Sequence, residues 1–328
     1  MNIYITLDYE LFFGSKSGSV DNCLIKPTQK LLELVDTYGI KLIFFVDVGY
    51  LIKLQEQKNN FKELAEDYSK ITSQIQNFVK NGHTAELHIH PHWENSFYNG
   101  KKWVFDTKQY RLSDFTYEET QKIVSKYTNA LKKVSGTNPI AYRAGGWSIQ
   151  PFTEIKNALK KNKIKIDSTV FPQGYYNSNY QYYDFRNVKP FRSSYQFNED
   201  PTLEEPQGEF LEFPISSYKL HPFFYWKFIV YKLFKNKENL AWGDGIAIPK
   251  TKRDVLRLIT KTTYSVVSID GLKASFLNKA FQLYQKKTNN LGNFVIIGHP
   301  KAFTPYSIKK LSTFLKNVKD DNDFKVFK

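Results

Sequence analysis

Three imidazoles stand at alternate positions in His88-Ile89-His90-Pro91-His92, half of the chain's six histidines within five residues. Imidazole binds zinc and similar divalent ions in its neutral form, which predominates near pH 7. His88 and His92, four apart, can converge on one ion if the chain turns after the apolar run that precedes them. Asp8 and Glu10 are two apart, so an extended strand points both to one side. Two carboxylates beside a histidine pair suit metal-assisted hydrolysis: one completes the ligand set and the other is a general base for water. Two histidines and one carboxylate also leave a coordination position open, which a closed structural site lacks. His299, after an apolar run and a glycine, is a candidate general acid. Arg143 is suited to keeping the base carboxylate ionised, and Asp167 to orienting an imidazole. His90 lies between the ligand candidates, to touch substrate or only to pack. His83 is expected before the strand and outside the site.

These residues need elements that bring them together. Strand-like runs fall at Ile3–Asp8, Lys41–Val46, Ala85–His90, Ile140–Arg143, Lys165–Val170, Phe210–Ile215 and Phe294–Gly298. Segments with helical periodicity alternate with them at 27–38, 60–80, 117–134, 152–162, 252–269, 272–288 and 305–318. Strands apolar on both faces and separated by helices imply a parallel sheet covered by helices. About seven such units predict an α/β barrel related to the (β/α)8 type, with chemistry at the C-terminal strand ends. Asp8, His88, Arg143, Asp167 and His299 all sit at such ends. An irregular, Tyr-rich insertion at about 173–250 is expected to lie over the barrel mouth, its rings free to stack on sugar faces.

The chain has 328 residues, 41% of them apolar, enough for a large core. No run of 18 apolar residues occurs, so a membrane-spanning helix is not expected. One cysteine, Cys23, cannot form an internal disulfide, and the first residues lack the pattern of a secretory signal; the expectation is a cytoplasmic protein. Lys and Arg total 47 against 32 Asp and Glu, a net charge of +15, but the lysines are spread over helices and no nucleic-acid signature appears. Nucleic acid is therefore not an expected partner. The stretch 221–235 is very apolar with lysines inserted, as in an interfacial helix that rests on a membrane and recruits a lipid-linked substrate.

In order, Thr6-Leu7-Asp8, Gly82-His83 with His88 and His92, Arg143-Ala144-Gly145-Gly146-Trp147, Asp167-Ser168 and Ile297-Gly298-His299 resemble the motifs of the polysaccharide deacetylases. These are the carbohydrate esterase family 4 proteins with a NodB-homology domain. The likeness covers about residues 1–170 and 290–305 and is nearest the branch associated with surface-glycan and O-antigen gene clusters. It implies a distorted (β/α)7 barrel spanning 1–328, interrupted by the aromatic-rich insertion. It further implies metal-dependent removal of an acetyl group, N-acetyl before O-acetyl, from a sugar. Asp8 would be the base, His88 and His92 ligands, and Arg143 the group positioning the base. Asp167 would support the catalytic histidine, and His299 would protonate the leaving amine. Gly145, Gly146, Trp147 and His90 are candidates for substrate contact. The metal would be zinc first, with cobalt, manganese or nickel as alternatives. Substrates would be acetylated sugars, nucleotide-sugars or lipid-linked glycans. The first motif departs from the family's two adjacent acids, with Tyr9 in the second place. Either Glu10 supplies the missing ligand or Asp8 itself binds the metal. The competing readings are a metal-dependent amidohydrolase of a non-sugar substrate and a non-catalytic glycan- or membrane-binding barrel.

Overall fold

The computed structural model describes residues 1–178, 180–234 and 236–328. Its main sheet contains β1 (Asn2–Tyr9), β2 (Ile43–Asp47), β3 (Thr84–Ile89), β4 (Ala141–Ala144) and β5 (Ile166–Asp167). It continues with β6 (Tyr195–Phe197), β7 (Phe210–Glu212), β8 (Asn293–Gly298) and β9 (Asp323–Phe324). The order is β6-β7-β5-β4-β3-β2-β1-β8, with β9 beside the start of β1. From β7 through β8 every neighbouring pair on this path is parallel, and β6 closes the edge antiparallel to β7. The sheet curls into a half-barrel. Its two ends are tied by hydrogen bonds rather than a regular ladder. Ser216 exchanges two of them with Val295, and Ile297 bonds to Val267 and Ile269.

Side chains alternate across this sheet, so each strand serves two cores. Ile3, Ile5 and Leu7 of β1, Phe44 and Val46 of β2 and Leu87 and Ile89 of β3 face outward. They pack there in one cluster with the helices α1 (Lys26–Asp36), α2 (Val48–Gln57), α3 (Lys62–Lys80), α4 (Tyr117–Ser135), α5 (Lys156–Lys161), α8 (Leu277–Thr288) and α9 (Pro305–Val318). The concave side holds a smaller cluster of Tyr4, Ile43, Phe45, Ala141, Ile166, Phe213 and Val295, closed by Phe327. Above this apolar floor the same faces carry Thr6, Asp8, His88 and Arg143. Helix α4 shows how local chemistry sets an element's ends. Thr116 and Glu119 form a reciprocal capping box at its start, and Gly136 at φ 75° stops it in the left-handed region.

Two expectations need correction. Helix α2 follows β2 directly, because Val48, Leu51 and Ile52 face the outer core at helical spacing. The helix expected over 252–269 ends at Thr260, as α7 (Lys252–Thr260). Thr263–Val266 instead alternates as a strand, antiparallel to Ser217–Leu220. Among the described residues no helix is long and apolar enough to cross a membrane.

His83 lies outside the concave site, as expected, and acts in the outer packing. Its Nδ1 accepts the Leu42 N–H at 3.0 Å, so this nitrogen must be unprotonated. Burial, and secondarily Lys41, lower its pKa to about 4. An unfolded chain takes up this proton near pH 6.5 and the folded one near 4, so stability is lost as pH falls between them. The expected loss from this residue is about 3 kcal/mol. His83→Asn should flatten the fall in denaturation midpoint between pH 7 and 4; an unchanged slope would remove His83 as its source.

Candidate active site

Alternation along β1 sends Thr6, Asp8 and Glu10 to the concave side, all buried. Alternation along β3 and the residue after it does the same for His88 and His90. The register sets His88 beside Arg143 on β4 and Asp8 beside Phe45 on β2. The three acceptor-rich atoms Glu10 Oε2, His88 Nε2 and His90 Nε2 thereby meet. Glu10 Oε2 is 2.6 Å from His90 Nε2 and 3.3 Å from His88 Nε2, and the two imidazole nitrogens are 3.1 Å apart. His88 Nδ1–H donates to the Arg143 carbonyl at 2.9 Å, which fixes the tautomer and turns the Nε2 lone pair inward. Ligand atoms around one tetrahedral zinc ion stand roughly 3.3 Å apart, close to two of these separations. The residues present therefore fit a divalent ion. Glu10, His88 and His90 form one candidate metal group, and Asp8, Glu10 and His299 a second, overlapping one.

His92 does not join them, which departs from the spacing-based expectation. Pro91 breaks the strand, and Pro91–Asn95 turns as a 3-10 helix that carries His92 away from the concave face. Its ring stacks on Tyr110 at 5.5 Å and 7°, and neither ring nitrogen has a hydrogen-bond partner among the described residues. Burial, then His90, hold the His92 pKa well below the usual value. His90, two residues from His88, shares its face of the strand instead.

Arg143 occupies the floor of the site, its guanidinium 4.1 Å above the Phe45 ring. Nη1 donates to Asp8 Oδ1 at 2.6 Å, Nη2 to Thr6 Oγ1 and Ser168 Oγ, and Nε to the Ser168 carbonyl. Burial pushes the Asp8 carboxyl up, but Arg143, His88 and His299 together bring it well below the ordinary carboxylate range. Asp8 Oδ2 remains turned toward the cavity, 3.4 Å from His299 Nε2 and 3.9 Å from His88 Nε2. Glu10 is likewise lowered against burial, by Lys301 and His90. Lys301 Nζ reaches Glu10 Oε1 at 2.8 Å.

The partner of His299 is Asp270, not Asp167. Asp270 Oδ2 accepts from His299 Nδ1 at 2.8 Å and its Oδ1 from the His299 backbone N–H at 2.8 Å. Burial works against charge on His299, yet Asp270 and Asp8 raise its pKa to about 10. Asp167 instead accepts both the N–H and the hydroxyl of Thr169 and lies against Glu212, behind Arg143. It ends a strand like the others, but its register partner is Tyr142, one residue before Arg143, and while Ile166 faces the concave cluster, alternation turns the Asp167 carboxyl to the other side of the sheet. Asp270 had a signal in the apolar run Val266–Ile269, which the helical reading of 252–269 concealed. Replacing Asp270 by Asn should lower kcat/KM about tenfold to a hundredfold with metal content unchanged. Wild-type kinetics in that variant would remove Asp270 from the machinery.

Asp8, Glu10, His88, His90 and His299 surround a cavity of about 150 Å³, walled by Phe13, Tyr110, Gly146 and Trp147. Gly146 and Trp147, both at φ 59°, and His90 thus line it. Gly145 does not. A Cβ there would stand 2.5 Å from His90 Nδ1, so this glycine makes room for the imidazole. Phe13, Tyr110 and Trp147 also line a second, larger groove of about 1280 Å³, which therefore adjoins the cavity.

No family model and no curated protein matches the chain. Solved structures do. A candidate polysaccharide deacetylase from Mycobacterium smegmatis superposes with a TM-score of 0.52 at 16% identity, over 98% of this chain and 85% of that one. A candidate polysaccharide deacetylase from Pseudomonas aeruginosa PAO1 gives 0.49 at 12% identity, over 99% and 87%. An allantoinase gives 0.48 at 11% identity, over 99% and 86%. At such identities the first of these establishes the fold, a curled α/β half-barrel of the polysaccharide-deacetylase type, and nothing about substrate.

Proposed function

We propose that the chain is a metal-dependent hydrolase that removes an acetyl group, most readily from nitrogen, from a sugar of a surface polysaccharide or O-antigen precursor. The observation that carries this reading is the convergence of three kinds of group on one small cavity. They are the Glu10–His88–His90 triangle, a carboxylate held by an arginine, and an imidazole held by a carboxylate.

Glu10, His88 and His90 would hold the ion, zinc or a similar divalent metal. When bound it supplies a Lewis acid for the acetyl carbonyl and the attacking water. Asp8 Oδ2 takes the proton of that water while Arg143 retains Oδ1, so the carboxylate cannot rotate away. The water oxygen bonds to the carbonyl carbon and the C–N bond breaks. His299, kept protonated by Asp270, gives its Nε2 proton to the leaving nitrogen, and acetate and a free amine result. Gly146 and Trp147 would bear on the sugar ring. Acetate release from acetylated oligosaccharides, nucleotide-sugars and lipid-linked glycans tests the reading. Absence of release from all three classes by metal-loaded protein would overturn it.

Residues 1–328 are read as one barrel with an insertion at about 173–250, cytoplasmic and in peripheral contact with a membrane. Support for the contact comes from α6 (Pro222–Leu233), which leaves Phe223, Trp226, Phe228 and Leu233 exposed, with Phe234 just beyond it 80% exposed. Lys235, the last residue of this stretch, lies outside the described residues. Phe223→Ser/Leu233→Ser/Phe234→Ser should reduce co-sedimentation with phosphatidylglycerol vesicles about tenfold or more. Equal sedimentation of variant and wild type would remove the membrane contact.

A further inference from the structure

The large groove is two-sided. Tyr175, Tyr176, Tyr180 and Tyr183 of the insertion stand on one wall, and α7 with its flanks forms the other. Arg253 and Arg257, four residues apart, share one face of α7, Lys250 just before the helix and Lys261 just after it extend the basic stripe, and all four line the groove. Lys102 adds a fifth cation to the lining. One carboxylate accompanies them, Asp254, and it is engaged by the Thr251 hydroxyl at 2.6 Å and the Tyr176 hydroxyl at 3.4 Å. Among the described residues, none of the five cations has a carboxylate within 4.0 Å. Arg257 Nε is also shielded from solvent without a hydrogen-bond partner. A guanidinium nitrogen so placed is costly unless an acceptor arrives. The opposite side of the helix is already used, since Trp226 of α6 donates to the Ile259 carbonyl at 3.1 Å.

We infer that this stripe is a subsite for the diphosphate of a diphosphate-linked sugar, whose sugar extends past Tyr110 and Trp147 into the acetyl-binding cavity. The inference rests on the deacetylase reading and names the class of substrate. A basic groove between aromatic walls raises the local concentration of an anion, and planar guanidinium groups bind phosphate oxygens in pairs. A nucleoside diphosphate and a polyprenyl diphosphate carry the same group, and the stripe recognises what they share.

The test measures binding of UDP-glucose and of geranyl-diphosphoglucose, neither of which has an acetyl group to lose, with methyl glucoside as the neutral control. Metal-loaded wild type is compared with Arg253→Gln/Arg257→Gln and with the charge-retaining Arg253→Lys/Arg257→Lys. The expected result is binding of at least one diphosphate probe at low salt, weakened at least tenfold in the Gln variant and partly restored in the Lys variant. Preference for one probe then assigns the source as nucleotide or lipid. Wild-type binding no tighter than that of methyl glucoside, or equal affinity in the Gln variant, overturns the subsite. Acetate release from neutral acetylated oligosaccharides by the same preparations separates the two readings. Release without probe binding removes the subsite and keeps the deacetylase. Probe binding lost in the Gln variant, without release from any acetylated sugar, keeps the anion site and removes the deacetylase.

Discussion

Asp8→Asn should reduce turnover by about 10² to 10⁴ while the protein retains its metal. The side chain keeps its shape and an oxygen for Arg143 Nη1, but it can no longer accept a proton at the position of Oδ2, which faces His299 and His88. Arg143 is fully buried, and loss of its counter-ion should also lower stability, by about 3 kcal/mol or less because the amide oxygen still accepts. Kinetics, thermal unfolding and elemental analysis on one preparation separate these effects. A folded Asp8→Asn protein that turns over within tenfold of wild type would exclude Asp8 as the base. If instead the ion is lost, Asp8 is a ligand, as the overlapping Asp8–Glu10–His299 group allows.

The second large effect concerns the ligand set. His88→Ala and His90→Ala should each abolish stoichiometric metal binding and with it activity, whereas His92→Phe should keep the ion. His88 has a further duty, because its Nδ1–H satisfies the Arg143 carbonyl, so its removal disturbs β4 as well. His92 is packed between Tyr110 and Trp93, and Phe preserves that stacking while removing both unpartnered nitrogens. Metal content measured after purification without chelators decides the matter. A metal-free His92→Phe beside a metal-loaded His90→Ala would reverse the assignment made here.

Much of this arrangement is legible in the sequence. The apolar strands, their parallel order and the rule that chemistry collects at their C-terminal ends brought Asp8, His88, Arg143 and His299 to one rim. Alternation of side chains paired Asp8 with Glu10. The same alternation applied to His88 would have selected His90, but the four-residue spacing to His92 mimics the ligand pairs found on helices. The role given to Asp167 failed for another reason. Which carboxylate meets His299 depends on how 267–269 joins β8, a contact made over a separation that local periodicity does not encode. Lys301 was hidden similarly, since only the turn after His299 folds its ammonium back onto Glu10. Residues 252–269 read as one amphipathic helix because β-branched residues such as Thr263 and Val266 fit either period in a short window.

Arg143 serves the two halves of the site through different parts of itself. Its guanidinium grips Asp8, while its peptide oxygen orients His88. Any residue at position 143 supplies that peptide oxygen, but only arginine supplies the grip. In a diverging lineage, one codon change could therefore silence the chemistry and leave the ion in place. A descendant recruited purely to bind glycans would look, to elemental analysis, like a working enzyme.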